Sequence, residues 1–139
     1  MIIIENISES QFDQIKTLAH RKKLDFTDAL KEDFFAVTKD ELVIGFARIR
    51  KKDSIFELST MGVEQSHRNK GVGVTLIEYA LRHYNDLYLV TVIPEYFEKF
   101  GFKSTREIPS VFNQKLNNYE LWHGYGTPVV MRYKRVTND

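Results

Sequence analysis

The sequence predicts an α+β fold in three layers, with helices on both faces of a central mixed, mostly antiparallel sheet. Three observations carry that prediction. Short apolar runs rich in Ile, Val, Phe and Tyr recur along the 139 residues, as half-buried strands require. Between them lie segments whose apolar residues return every three or four positions, the period of a helix buried on one face. One such segment separates two strand-like runs by more than a hairpin can bridge, which implies a parallel pair with a helical crossover.

The elements follow in order. Ile2, Ile3 and Ile4 read as a first strand. Ser8 followed three positions later by Gln11 is a capping-box pattern. Phe12, Ile15, Leu18 and Ala19 then continue at helical spacing. A second short helix is expected over residues 27–33, and strands over 34–38, 42–49 and 55–63. The first two of these strands are joined by the turn-prone Lys39-Asp40-Glu41. A helix after Gly73 places Val74, Ile77, Leu81 and Tyr84 along one face, with Ala80 beside them. A strand over 87–93 ends at Pro94, a short helix leads to Gly101-Phe102, residues 103–127 are loop-rich, and 129–133 form the last strand.

Composition limits the alternatives. At this length one domain, residues 1–139, is expected, large enough to bury roughly two-thirds of its unfolded surface. A net charge of +1 gives no global case for a nucleic-acid or membrane partner. The chain has no cysteine, so it offers no disulfide, thiolate metal site or cysteine nucleophile. His20, His67, His83 and His123 lack paired metal spacing, and no metal is expected. The opening Met1–Ile4 run is too short for a signal-peptide core, and Glu5 interrupts it. No apolar run approaches a membrane span. A soluble, cytoplasmic protein is the expectation.

The most specific chemistry lies in residues 55–77. A β-prone run carrying Glu57 leads through a polar loop to Arg68-Asn69-Lys70-Gly71-Val72-Gly73, which opens a helix. Strand, glycine loop and helix N-terminus make an anion site, because the first turn has unpaired N–H donors and the helix dipole favours negative charge. Gly71 and Gly73 permit positive φ and close approach of backbone to phosphate. A P-loop is excluded, since no Gly-x4-Gly-Lys-Ser/Thr run exists. A dinucleotide fingerprint is excluded too: Leu76 stands where its third glycine belongs, and the following strand ends in proline rather than an acid.

The segment resembles the coenzyme A site of the GNAT superfamily of N-acetyltransferases. Their signature, Arg/Gln-x-x-Gly-x-Gly/Ala after a small apolar run, is matched by Arg68, Gly71 and Gly73 behind Met61-Gly62-Val63. The likeness continues through the helix, the next strand and the Gly101-Phe102 pair, and covers roughly residues 2–102. It implies acetyl-CoA as co-substrate, bound by Met61, Gly62 and Val63 through their backbone and by Arg68, Asn69, Lys70, Gly71, Val72, Gly73 and Val74. It implies a bulge near Gly62 that frees one N–H to polarise the thioester.

The reaction so implied moves an acyl group from a thioester to an amine. At pH 7 removing the amine's proton costs about 1.4 kcal/mol for an α-amino group and about 4.6 for a lysine side chain, so a base is needed. Glu57 occupies the position at which many superfamily members place theirs; the alternative is a solvent-facing acid paired with Arg48 or Arg50. A tyrosine commonly protonates the departing thiolate. Its usual position, four before Gly101, holds Phe97, with Tyr96 one place earlier and about 100° away around the helix. Phe97 is then a packing partner of the cofactor arm, and Tyr96 the candidate acid.

Arg68 and Lys70 are the charge partners expected at the loop, with His67 beside them. Lys51-Lys52 fits either a ribose phosphate or a charged turn. Tyr119, Trp122, His123 and Tyr125 read as core or lid aromatics. The tail, with Ile108-Pro109 and the final strand, loosely resembles the acetyltransferase domains of N-acetylglutamate synthases. That implies a small-molecule amine acceptor, an amino acid or relative, whose carboxylate Arg21, Lys22 or Arg48 could pair with. A homodimer is compatible with the likeness. Two readings stand against this one: acetylation of a protein N-terminus or lysine, and an acyl-CoA sensor without turnover.

Overall fold

A computed structural model describes residues 1–136, the Tyr119 side chain excepted. The elements are β1 (Ile2–Ile4), α1 (Glu9–Arg21), β2 (Phe34–Lys39), β3 (Leu42–Lys52), β4 (Ile55–Val63), α2 (Val72–His83), β5 (Asp86–Thr91), α3 (Pro94–Glu98), β6 (Lys103–Ser104), α4 (Asn113–Leu116), α5 (Tyr119–Trp122) and β7 (Val129–Lys134). The sheet is seven-stranded and mixed, in the order β1-β2-β3-β4-β5-β7-β6. Contacts gather into two compact units: residues 1–50 with 58–82, and residues 51–57 with those from His83 onward.

In the first unit, local chemistry sets the starts and turns. Ser8 caps α1: its hydroxyl accepts from Gln11 N at 3.1 Å while Gln11 Oε1 accepts from Ser8 N at 2.8 Å. Ile15, Leu18 and Ala19 bury the helix on Phe34, Ala36 and Phe46, with Phe12, Leu24 and Phe26 around them. The β2–β3 hairpin turns through Asp40 and Glu41, both at positive φ (51° and 67°), which matches the right-handed twist of the flanking strands. Register slips by one residue between Val37 and Thr38, leaving Ile44 as an extra residue on β3.

The opposite face of β2 and β3 receives α2. Gly45 makes this contact possible, because a Cβ there would collide with the Val72 side chain and stand 3.3 Å from Leu76. The buried face of α2 is consequently Val72, Leu76, Ile77 and Ala80. Val74 is 39% exposed, so the expected face led by Val74 is rotated. Gly62 has a packing reason of its own: a Cβ would lie 2.8 Å from the Phe46 ring and 3.2 Å from Leu24. Both neighbouring side chains are confined, so Gly45→Ala and Gly62→Ala should each lower unfolding free energy by about 1–3 kcal/mol, measured by urea denaturation.

The short helix expected over 27–33 is absent. Asp25 Oδ1 accepts from Thr27 N at 3.0 Å and Asp28 adopts φ 52°, so side chain and backbone make turns, and only Lys31–Asp33 forms one 3₁₀ turn.

The second unit is built on β5. It pairs in parallel with β4 at Glu57–Tyr88, as the crossover predicted, and antiparallel with β7 from Asp86–Lys134 to Thr91–Val129. β6 pairs on the other edge of β7, and β5 ends at Thr91 rather than residue 93. Arg132 makes two bonds to Asp86, 2.8 and 2.6 Å, and lies 5.0 Å over the Tyr88 ring. Those bonds hold the Asp86 carboxyl below its ordinary range and raise the Arg132 guanidinium. Gly101, at φ 96°, ends the α3 turn; Phe102 then buries against Phe97 and Tyr133 at ring distances of 5.9 and 5.8 Å. The loop-rich stretch also contains two single-turn helices, α4 and α5.

Candidate active site

The loop between β4 and α2 lies wholly within the first unit. Glu64 closes its start. One carboxylate oxygen, Oε2, accepts from Ser66 N at 3.1 Å and from the Ser66 hydroxyl, and lies 2.8 Å from His67 Nδ1. His67 is therefore engaged with Glu64. The Ser66 hydroxyl first, then His67, pull the Glu64 carboxyl from 4.5 to about 2. A depressed carboxylate contributes its hold on the loop fully above its unfolded value and loses it as pH falls from 4.5 toward about 2. A carbon-detected titration of Glu64 should show a midpoint near 2, moving toward 4.5 in Ser66→Ala.

Asn69 (φ 63°) and Gly71 (φ 82°) are the left-handed residues of the loop. Gly73, expected to share that role, instead sits in the first turn of α2. An added Cβ at Gly71 meets nothing within 4 Å, so the backbone is open on the side that a Cβ would cover. The carbonyl of Gly71 accepts the first intrahelical bond, from Thr75 N at 3.0 Å, and also the Thr75 hydroxyl at 2.8 Å. Gly71 is thus the N-cap residue, and it has no side chain with which to satisfy the N–H groups of Gly73 and Val74. A diphosphate fits this donor set. Beside the loop, burial first and then the nearby Arg68 push the Lys22 ammonium below its ordinary value, with Glu64 opposing. Met61, Gly62 and Val63 form the end of β4 leading into the loop.

Arg48, considered for an acceptor carboxylate, is fully buried and lies 5.8 Å over the Phe34 ring. Its Nε lies 3.5 Å from Asp33 Oδ2. Burial first, then Arg50, lower its pKa.

Glu57 lies in the second unit and is 0% exposed. It pairs with neither Arg48 nor Arg50. Lys115 Nζ donates to Oε2 at 2.6 Å, and Lys52 Nζ lies 2.9 Å from Oε1. Oε1 accepts no hydrogen bond among the described residues, so Lys52 supplies charge at an angle that makes no directional bond. Lys52 also lies 5.5 Å over the Phe112 ring, and Lys51 is 5.9 Å over Phe56. Lys115 carries no recognisable local signal, since its partner is 58 residues away in sequence.

Tyr96 and Phe97 sit on α3. Phe97 is buried, and the Tyr96 ring meets it edge-on at 5.1 Å, with Phe100 at 5.5 Å. Burial raises the Tyr96 phenol above its ordinary value, so it keeps its proton at neutral pH. Trp122 donates to the Lys115 carbonyl at 2.8 Å, whereas Tyr125 is 61% exposed; the Tyr119 side chain lies outside the described residues.

The family described as acetyltransferase (GNAT) domain matches residues 31–104, more than half of the chain and the whole of the loop just described. The chain belongs to the GNAT acetyltransferase family. Its enzyme class is therefore that of the acetyl-CoA-dependent N-acyltransferases. Solved GNAT structures share the fold at low identity. N-acetylglutamate synthase from Neisseria gonorrhoeae, complexed with coenzyme A and N-acetyl-glutamate, superposes with a TM-score of 0.76 at 13% identity over 98% of this chain. The chain spans only 35% of that synthase chain. Rv2747 from Mycobacterium tuberculosis, in complex with CoA, gives 0.74 at 15% identity over 98% of this chain and 100% of its own. The ribosomal-protein-S18-alanine N-acetyltransferase from Escherichia coli gives 0.68 at 14%, over 99% and 96%. Metabolite and protein acetyltransferases thus share this GNAT fold, and the fold does not choose the acceptor. No helix among the described residues is long and apolar enough to cross a membrane.

Proposed function

We propose that residues 1–139 act as one acetyltransferase domain, moving an acetyl group from acetyl-CoA to the primary amine of a small molecule. The amine attacks the thioester directly, with no covalent enzyme intermediate. The observation that carries the reading is the cradle: Asn69 and Gly71 in left-handed conformation ahead of an uncapped helix start. In this reading the N–H groups of residues 71–74 bind the diphosphate, with Arg68, Asn69 and Lys70 around it. Met61, Gly62 and Val63 run along the pantetheine arm.

Glu57 takes the amine's proton, directly or through a water, at Oε1, the oxygen with no hydrogen bond. The C–S bond then breaks, and Tyr96, still protonated, returns a proton to the thiolate. Thiolates of pKa near 8.5 leave with little help, so this last step contributes least. The setting proposed for this chemistry is the cytoplasm.

A second reading has its own support. Two lysines on Glu57 and phenylalanine at position 97 also suit a domain that binds acyl-CoA without turning it over. Release of free thiol from acetyl-CoA across a panel of amino acids, polyamines, aminoglycosides and peptides separates the two. Release with at least one small amine supports transfer, release with peptides alone moves the acceptor to proteins, and tight binding with no release leaves the sensor.

A further inference from the structure

We propose that the acceptor is a free α-amino acid, its carboxylate held by Lys52 and Lys115 and its amino group by Glu57 Oε1. The inference rests on the transfer reading above and names its substrate class.

The three side chains form a shielded cluster with two cations for one anion: Glu57 is 0% exposed, Lys115 8% and Lys52 18%. Surface lysines balance their charge with water, but groups this deep need protein or ligand partners. An ammonium has three donors. Lys115 uses one on Glu57 Oε2, and Lys52 makes an ionic contact and an aromatic one. No further acceptor is seen for either ammonium among the described residues, and Glu57 Oε1, with Lys52 Nζ 2.9 Å away, makes no directional hydrogen bond. The cluster thus offers surplus donors beside one carboxylate oxygen whose hydrogen-bonding capacity is unused.

Lys115 is held in place rather than left to find water. Its carbonyl accepts from the Trp122 indole at 2.8 Å and from Asn118 N at 3.2 Å, which fixes the α4 turn that carries it.

A ligand that completes this pattern needs an anion for the lysines and an amine for Oε1, separated by about the span of one ion pair. An α-amino acid carries both on one carbon. A peptide N-terminus has an amide in place of the carboxylate, and a lysine side chain has nothing there. Either would leave the surplus donors unpaired in a shielded site. Sites built to hydrogen-bond a group reject analogues that lack it far more strongly than they reject a change of size.

The test compares each standard L-amino acid with its C-terminal amide, by thiol release from acetyl-CoA and by calorimetric binding. The preferred amino acid should exceed its amide by about 100-fold or more in kcat/KM. Lys115→Met should raise KM for that amino acid at least tenfold and collapse its preference over the amide toward one. Lys115→Arg should retain most of the preference. A purely structural lysine would instead weaken both substrates equally, and that result, or amides turned over as well as acids, overturns the assignment. Should no amine release thiol, transfer itself fails, and calorimetry still decides the carboxylate site. Amino acid binding at least tenfold tighter than amide supports it; equal or no binding overturns it.

Discussion

Gly71→Asp is expected to abolish coenzyme A binding while the domain stays folded. The two halves of that result have separate causes. A Cβ at Gly71 has open space around it, so the change crowds no packed side chain. The residue must hold φ 82°, a conformation that aspartate tolerates better than most residues do. Folding should therefore survive, with an unchanged circular dichroism spectrum. The ligand meets the opposite situation. A carboxylate then projects from the residue where backbone donors and helix dipole favour an anion, and like charge replaces an open approach. A loss of at least about 100-fold in affinity, about 2.7 kcal/mol, is expected by calorimetry. Retained affinity in a folded variant would remove the diphosphate from this loop.

Glu57→Gln should lower kcat by about 10²–10⁴, the range that general-base catalysis supplies. The limb of the pH–rate profile on which activity rises with pH should change shape. The substitution also strips Lys115 of its anion, and breaking a buried pair costs about 3–5 kcal/mol. A lower melting temperature is therefore expected alongside the kinetic loss. Rates should be compared at a temperature where near-ultraviolet circular dichroism shows the variant fully folded. Unaltered kcat and an unaltered rising limb there would leave Glu57 a purely structural ion-pair centre.

What could be read from the sequence was local. The α1 cap needs only Ser8 and Gln11, the β2–β3 turn only Asp40 and Glu41, and the cradle only a glycine before a helix. The parallel β4–β5 pair followed from a connection too long for a hairpin. What could not be read depended on partners far along the chain. Spacing alone allows Val72 or Val74 to lead the buried face of α2; Gly45 on β3 decides for Val72 by leaving room for it. The missing helix at 27–33 lost to the Asp25 side chain and to Asp28, whose backbone turns left-handed. Gly62 suggested a bulge, yet the Phe46 ring lying on it explains why no larger residue fits.

The same division runs through the site. Asn69 and Gly71 announce the cradle within a few residues, whereas Lys115 reaches Glu57 across the fold. A candidate base can be proposed from its offset to the glycine loop, but its electrostatic company cannot be read that way. In the proposed reading that company sets which amines can approach, and the acceptor was therefore the least legible part of the function. The pairing of Glu57 with two lysines replaces the arginine partners of the alternative reading and gives the acceptor question a chemical handle.

Whether residues 69–74 cradle coenzyme A can be followed amide by amide in proton–nitrogen correlation spectra during titration with coenzyme A. Saturable shifts are expected, largest at the amides of Gly71, Gly73 and Val74, with smaller ones along Met61, Gly62 and Val63. Saturable binding that moves amides elsewhere and leaves residues 69–74 unchanged would place the cofactor outside this loop.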